Sequence, residues 1–115
     1  MLIAGGIGIT PFLSHLSSDN VHHVFWGCRT SNDVIRNPAL DLSKSPVTIA
    51  LSGEDIDSKR RGHITGQLIA ETIGKDLKEY NFFICGPARM MESIKKQLSA
   101  LGVDERQMYS ESFTF

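Results

Sequence analysis

Residues 2–11 of the chain, LIAGGIGITP, pass from an apolar run into glycines and end on proline. This order predicts a buried strand, a tight turn and a helix start, because glycine turns the backbone without steric cost and leaves its amides uncovered. Thr10 is a good N-cap, and Pro11 suits the first helical position. Free N–H groups and the partial positive charge at a helix start favour phosphate, so the turn predicts a pyrophosphate site.

The spacing of this turn leaves a second interpretation open. Gly6 and Gly8 match the first two glycines of the G-x-G-x-x-G dinucleotide fingerprint, but Pro11 stands where the third glycine belongs. The generic fingerprint is therefore not matched. On these residues alone, the turn equally fits a glycine-rich turn beneath a packed helix that binds no ligand.

Composition narrows the function classes. The 115 residues fit one domain, and 12 basic against 13 acidic residues give a net charge of −1. This balance argues against nucleic acid or an anionic membrane surface as a partner. Cys28 and Cys85 lack C-x-x-C spacing and the four histidines form no ligand set, so we predict no metal site and no disulfide framework. A cytoplasmic location is the simplest expectation.

Apolar runs and helical patterns alternate along the chain. Continuous apolar strands indicate burial on both faces, and the alternation predicts an open α/β fold: a doubly wound parallel sheet of about five strands between two helical layers. Helices are expected after Pro11, briefly at 32–37, at Gly66–Ile73 between Thr65 and Gly74, and from Met90 to Leu101. The predicted strands are the start of the chain, Val21–Cys28, Val47–Leu51, Phe82–Cys85 and Gln107–Phe113.

A second glycine-proline pair, Gly86-Pro87, follows the predicted fourth strand. We interpret it as another glycine turn with a proline helix start. Ligands of open α/β sheets bind beyond the carboxyl ends of the strands, where the strand order reverses. The turn at 5–11 and the turn at Gly86 therefore form one site if the first and fourth strands are neighbours.

Four motifs in this order resemble the nucleotide-binding domain of the ferredoxin-NADP reductase superfamily. They are AGGIGITP at 4–11, WGCRT at 26–30, ICGP at 84–87 followed by Met90 and Met91, and Glu111-x-Phe113. The resemblance covers essentially the whole chain and implies a Rossmann-related fold. It also implies an NAD(P)H-dependent oxidoreductase in which hydride passes from the nicotinamide to a flavin, so that the cofactors carry the chemistry.

The resemblance implies a role for each motif. The first turn would cradle the pyrophosphate and the nearby nicotinamide, and Cys85 with Glu111 and Phe113 would serve hydride transfer at the nicotinamide and flavin. Arg29 and Ser52 would lie near the nucleotide. The full set of implied cofactor-binding residues is Gly5, Gly6, Gly8, Ile9, Thr10, Pro11, Arg29, Ser52, Cys85, Gly86, Pro87, Met90 and Met91.

Each role has a structural alternative. Cys85 fits a plain buried cysteine, because a free cysteine behaves as a small hydrophobic residue. Met90 and Met91 fit core positions as well as a pocket. Arg29 fits a strand end in solvent, and Phe113 fits terminal packing.

The family holds its flavin mainly with a preceding barrel domain that carries an Arg-x-Tyr-Ser motif, which does not occur in these 115 residues. We therefore expect residues 1–115 to be an NAD(P)H-binding fragment whose FAD-binding domain lies upstream in a longer protein. The fragment should be inactive alone, and its electron acceptor is unidentified; some members of the family join this domain to a membrane-embedded haem domain. A native start at Met1 is the other interpretation. Two rival functions are a non-enzymatic NAD(H) or ADP-binding module and an α/β domain that binds no dinucleotide.

The segment after the third strand bears on the choice of dinucleotide. Enzymes that use NADPH generally place Ser or Arg there for the 2′-phosphate, whereas an acidic residue suits the free hydroxyl of NADH. Ser52 is followed by Glu54 and Asp55, which favours NADH, and then by Arg60 and Arg61, which keeps NADPH open.

Overall fold

A computed structural model of the chain describes residues 1–5, 22–28, 46–52, 63–74 and 76–113. These ranges contain three strands followed by a helix, a strand, a helix and a strand, and short 3-10 turns at Leu77–Glu79 and Glu105–Gln107 precede the last two strands. The elements are β1 (Leu2–Gly5), β2 (Val24–Cys28), β3 (Val47–Leu51), α1 (Gly66–Ile73), β4 (Phe82–Pro87), α2 (Ala88–Ala100) and β5 (Met108–Phe113).

The five strands form one parallel sheet in the order β3-β2-β1-β4-β5. β1 is central, with Ala4 opposite Trp26 of β2 on one side and opposite Cys85 of β4 on the other. The order runs outward through β2 and β3 in one direction and through β4 and β5 in the other. This confirms the predicted α/β class and makes the first and fourth strands neighbours.

Alternate side chains of the sheet enter two apolar clusters, one on each face. The first face packs against α1 and α2, and Ile3, Phe25 and Ile84 are at most 1% exposed there. The second face carries its own buried cluster, which includes Trp26 and Cys85 at 1% exposure each. The sheet is thus apolar on both faces, as its continuous apolar strands predicted.

The predicted helix α1 has the expected ends. The Thr65 hydroxyl accepts a hydrogen bond from the Leu68 N–H at 3.0 Å, and Gly74 adopts the left-handed conformation with φ 65°. The Gly66 N–H donates to Oε1 of Gln97 at 2.6 Å, which ties the start of α1 to α2. A β-carbon on Gly66 would lie 2.8 Å from Cβ of Gln97, so this glycine permits the close approach of the two helices.

The prediction of a glycine turn at Gly86 was wrong. Gly86 and Pro87 continue β4 and pair with Ser112 and Phe113 of β5. Among the described residues only Gly74 and Gly102 have positive φ, so Gly86 stays extended. The pairing with β5 ends at Pro87, and the helix α2 begins at the next residue, so the predicted helix start at this proline is confirmed to within one residue.

Two other strand boundaries shift. His22 and His23 lie outside β2, which begins at Val24 instead of Val21, and position 21 lies outside the described residues. Gln107 closes the 3-10 turn that begins at the Asp104 cap, so β5 begins at Met108. Its side-chain amide also donates to the carbonyls of Lys78 at 2.6 Å and of Tyr80 at 2.9 Å. No helix within the described ranges is long and apolar enough to cross a membrane.

His23 makes stability depend on pH. Its Nε2 shares a 2.7 Å hydrogen bond with the Thr48 hydroxyl, and its ring lies 4.5 Å from that of Phe25. Burial of its ring lowers the pKa of His23 from 6.5. In the unfolded chain His23 is protonated as the pH falls through about 6.5, whereas in the folded chain it stays neutral until the pH falls through its lower pKa. The free energy of unfolding therefore decreases as the pH drops from about 6.5 through the folded pKa.

We expect the free energy of unfolding from urea titrations to be lower at pH 5 than at pH 7.5, and His23→Gln to reduce this difference. Glutamine keeps a donor for Thr48 but does not titrate. His22→Gln is the matched control, because the His22 ring is exposed. An undiminished difference in His23→Gln would rule out His23 as its source.

Candidate functional site

The carboxyl ends of β1 and β4 meet at the centre of the sheet. β2 and β3 continue the sheet on one side of this pair, and β5 continues it on the other. The strand order therefore reverses between β1 and β4, which is the place where open α/β sheets bind ligands. Gly5 ends β1 here, and Gly86 and Pro87 end β4.

These strand ends, together with Met90 from the first turn of α2, form a feature that we call the switch-point crevice: Gly5, Gly86, Pro87 and Met90. A β-carbon built on Gly5 would overlap the sulfur of Met90 and lie 3.3 Å from Cδ of Pro87. A β-carbon on Gly86 would lie 3.0 Å from the same sulfur and 3.3 Å from the backbone nitrogen of Gly5. The Met90 thioether occupies the space that a side chain at either glycine would need, so the two glycines allow it to approach the backbone closely.

Helix α2 begins at the rim of the crevice. Pro87 is its N-cap, with φ −60° and ψ 146°, and the proline side chain forms no capping hydrogen bond. The first N–H groups of a helix lack intrahelical partners and carry partial positive charge. The first turn of α2 therefore has backbone N–H groups without intrahelical partners next to the end of β4.

Cys85 and Glu111 are register partners on β4 and β5. The Cys85 side chain is 1% exposed and belongs to the cluster on the second face, opposite the face on which Met90 covers Gly86. Burial raises the pKa of the Cys85 thiol, and the negative charge of Glu111 raises it further. Cys85 is consequently a neutral thiol at physiological pH and not an activated nucleophile.

The structure separates the two methionines that the sequence motif grouped together. Met91 is buried in the first core cluster with Ile94 and Leu98, whereas Met90 is half-buried over Gly5 and Gly86. Helical spacing does not separate the two, because Ile94 lies four residues after Met90 and three residues after Met91, and Leu98 continues the same face. The specific place of Met90 was the part that sequence reasoning missed.

The other predicted site residues have different positions. Ser52 is exposed at the end of β3, two strands from β1, and its N–H donates to the Cys28 carbonyl at 2.9 Å. Glu111 is exposed, and Phe113 ends β5 opposite Pro87. Gly6, Gly8, Ile9, Thr10, Pro11 and Arg29 lie outside the described residues. Across the described ranges, no three His, Cys, Asp or Glu side chains group as metal ligands.

Comparison with known proteins agrees with this geometry. The family profile described as "Oxidoreductase NAD-binding domain" matches residues 2–96. One component of the 1,2-phenylacetyl-CoA epoxidase of Escherichia coli is 32% identical over 98% of this chain and 36% of its own length. Flavohemoprotein A of Dictyostelium discoideum is 30% identical over 98% of this chain and 30% of its length.

A solved structure shares the fold. The ferredoxin NADP+ reductase of Neisseria gonorrhoeae, crystallised with FAD and NADP, superposes with a TM-score of 0.75 at 21% identity, over 96% of this chain and 54% of that one. The chain spans about a third of the length of the two curated relatives. These proteins confirm the resemblance to ferredoxin-NADP reductase-like reductases and do not support the non-enzymatic alternative. With β1 and β4 adjacent and the family profile matching residues 2–96, the chain belongs to the oxidoreductase NAD-binding domain family.

Proposed function

We propose that this domain binds NADH at the switch-point crevice and presents the nicotinamide to an FAD held by another domain of the same protein. One observation carries the proposal: β1 and β4 are neighbours, so Gly5 and Gly86 bring two side-chain-free backbones together where the strand order reverses. Backbone without side chains at this place lets a flat ring lie directly against it.

The residues of this chain orient the cofactor and keep its surroundings apolar. The bound cofactors supply the chemistry, a hydride passing from C4 of the nicotinamide to N5 of the flavin. Pro87 gives the crevice an apolar wall, and Cys85, one residue before Gly86, keeps its neutral thiol buried on the opposite face of the sheet. A general acid or base is not required for this reaction, so the raised pKa of Cys85 does not hinder it.

NADH is the proposed dinucleotide because of the segment that follows β3. Ser52 is exposed at the carboxyl end of β3, on the edge of the sheet where the ribose of a dinucleotide would lie. Glu54 and Asp55 come next in the sequence, and their charge would repel a 2′-phosphate. Comparing the dissociation constants of NADH and NADPH tests this preference.

The proposal places residues 1–115 in a longer protein as its NADH-binding domain, with an FAD-binding domain in cis and a separate electron acceptor. Two observations support it: the chain spans about a third of its relatives, and the related fold from Neisseria gonorrhoeae was crystallised with both FAD and NADP. Nucleic acid and direct membrane insertion are not part of the proposed role. Both cysteines are buried and outside any disulfide, which fits a cytoplasmic setting.

The direct test follows flavin absorbance in the full-length protein. Under anaerobic conditions, NADH should bleach the flavin band in a stopped-flow instrument, at a rate that saturates with NADH concentration. A flavin that stays oxidised in the presence of millimolar NADH would contradict the proposal.

Cys85→Ala tests the catalytic arrangement. We expect flavin reduction to slow by roughly tenfold while the dissociation constant of NADH changes less than about threefold. The buried thiol packs on the second face of the sheet, one residue before Gly86, so its loss should shift the backbone on which the ring lies, and a misplaced ring lowers the rate more than the affinity. Cys28→Ala is the matched control, since Cys28 is also a buried cysteine of the second cluster but ends β2. An unchanged rate in Cys85→Ala would remove the thiol from the catalytic site.

A further inference from the structure

We propose that Met90 is a movable plug of the switch-point crevice, and that its thioether must swing aside before a nicotinamide ring can lie against the carboxyl ends of β1 and β4. The inference rests on the proposed function, because it concerns the same crevice. It separates Met90, a residue that controls access, from Met91, a residue of the core.

The contacts of the Met90 side chain carry this inference. Its sulfur lies over the end of β1, where it would overlap a β-carbon on Gly5, and it lies 3.0 Å from a β-carbon position on Gly86. Its methyl carbon is 3.4 Å and 3.3 Å from the same two positions. The thioether therefore fills the space above both glycines. A ring that stacks on the backbone there needs the same volume.

The Met90 side chain packs against the edge of the first core cluster without belonging to its buried set, so it can change rotamer while its helix stays in place. Methionine is unbranched, has three rotatable side-chain bonds beyond Cα and adapts to irregular spaces. Met90 is half-buried, whereas Met91, Ile94 and Leu98 anchor α2 in the core at 7%, 1% and 0% exposure. A rotamer change at Met90 thus opens the crevice without moving the sheet or the helix.

Such a plug lowers affinity in a selective way. When only a fraction of molecules has the crevice open, the apparent affinity for a ligand that needs it open is reduced by that fraction. The adenosine and pyrophosphate parts of the dinucleotide do not compete with Met90 for space. The affinity for ADP-ribose, which lacks the nicotinamide, should therefore not depend on the position of Met90, whereas the affinity for NAD+ should.

The experiment measures dissociation constants of NAD+ and ADP-ribose by calorimetry in the full-length protein. If about one molecule in ten is open, Met90→Ala should bind NAD+ about tenfold more tightly, with ADP-ribose unchanged within about twofold. Met90→Leu keeps the side-chain volume and should remain within about threefold of the original protein for both ligands. Met108→Ala is the matched control, because it shortens a half-buried methionine at the opposite end of the sheet.

A measurement without substitution addresses the same point. With methyl-labelled methionine, the NMR signal of the Met90 methyl should shift on addition of NAD+ but not of ADP-ribose, and the Met108 signal should not respond to either. Equal changes of both affinities in Met90→Ala, or weaker NAD+ binding with an unmoved Met90 signal, would overturn the plug. Failure of the original protein to bind either ligand would instead overturn the proposed function on which the plug depends.

Discussion

Phe82→Ala is expected to lower the free energy of unfolding by about 3–5 kcal/mol, because the ring leaves a cavity that its neighbours only partly fill. Phe82 begins β4, is 0% exposed and packs in the cluster between the sheet and the two helices. A domain of this size has a total stability of about 5–15 kcal/mol, so the variant should be close to unfolded at 37 °C. Urea unfolding followed by circular dichroism measures the change.

Phe83→Ala is a closely matched control, because it removes the same side chain one residue along the same strand. Phe83 points to the other face, is 42% exposed and stacks on Tyr109 with ring centroids 5.0 Å apart. Loss of this ring should lower the free energy of unfolding by about 0.5–1.5 kcal/mol, which is the usual contribution of an aromatic pair. Similar losses in the two variants would contradict the assignment of Phe82 to the core.

Gly5→Val is expected to weaken NAD+ binding by roughly 100-fold, which corresponds to about 2.7 kcal/mol. A β-carbon at this position overlaps the Met90 sulfur and lies 3.3 Å from Cδ of Pro87, so the valine would fill the switch-point crevice. Unlike the Met90 thioether, a branched side chain on β1 cannot swing out of the way. Calorimetry with NAD+ gives the affinity, and thermal melting shows whether the variant is folded.

Gly27→Val is the control on the same rung of the sheet, because Gly27 of β2 pairs with Gly5. A β-carbon on Gly27 would meet Cγ1 of Ile64 at 3.5 Å and the Ala4 carbonyl oxygen at 3.9 Å, which are ordinary contacts. We expect the dissociation constant of NAD+ in Gly27→Val to stay within about threefold of that of the original protein, which corresponds to less than about 1.4 kcal/mol. Equal weakening by both valines would show that the effect is not specific to the crevice.

Combining Gly5→Val with Met90→Ala separates stability from binding. Removing the Met90 thioether relieves its overlap with the new β-carbon, so the double variant should regain stability relative to Gly5→Val. NAD+ binding should not return, because the valine still occupies the crevice. Restored binding would mean that Gly5→Val acts only by displacing Met90.

Several elements follow from local sequence alone. Thr65 and Gly74 bound α1 as expected, since an N-cap hydroxyl and a left-handed glycine act on the backbone within one turn. The apolar run at Val47–Leu51 is β3 without adjustment. The prediction of a turn at Gly86 was wrong because it also used local sequence alone. The residues around Gly86 allow a turn, but backbone pairing with β5 keeps Gly86 extended. Pairing with a distant strand overrode a local preference.

The sequence by itself determined the α/β class, the family motifs and the places where glycine leaves the backbone without a side chain, because each depends on residues close together along the chain. Only the tertiary structure decided that β1 and β4 are neighbours, that Met90 lies over Gly5 and Gly86, and that Cys85 faces the opposite side. These facts depend on which strands pair across long stretches of chain, and side-chain periodicity does not encode that choice. The motifs therefore predict a nucleotide site, and the pairing of the strands gives it a place and a shape.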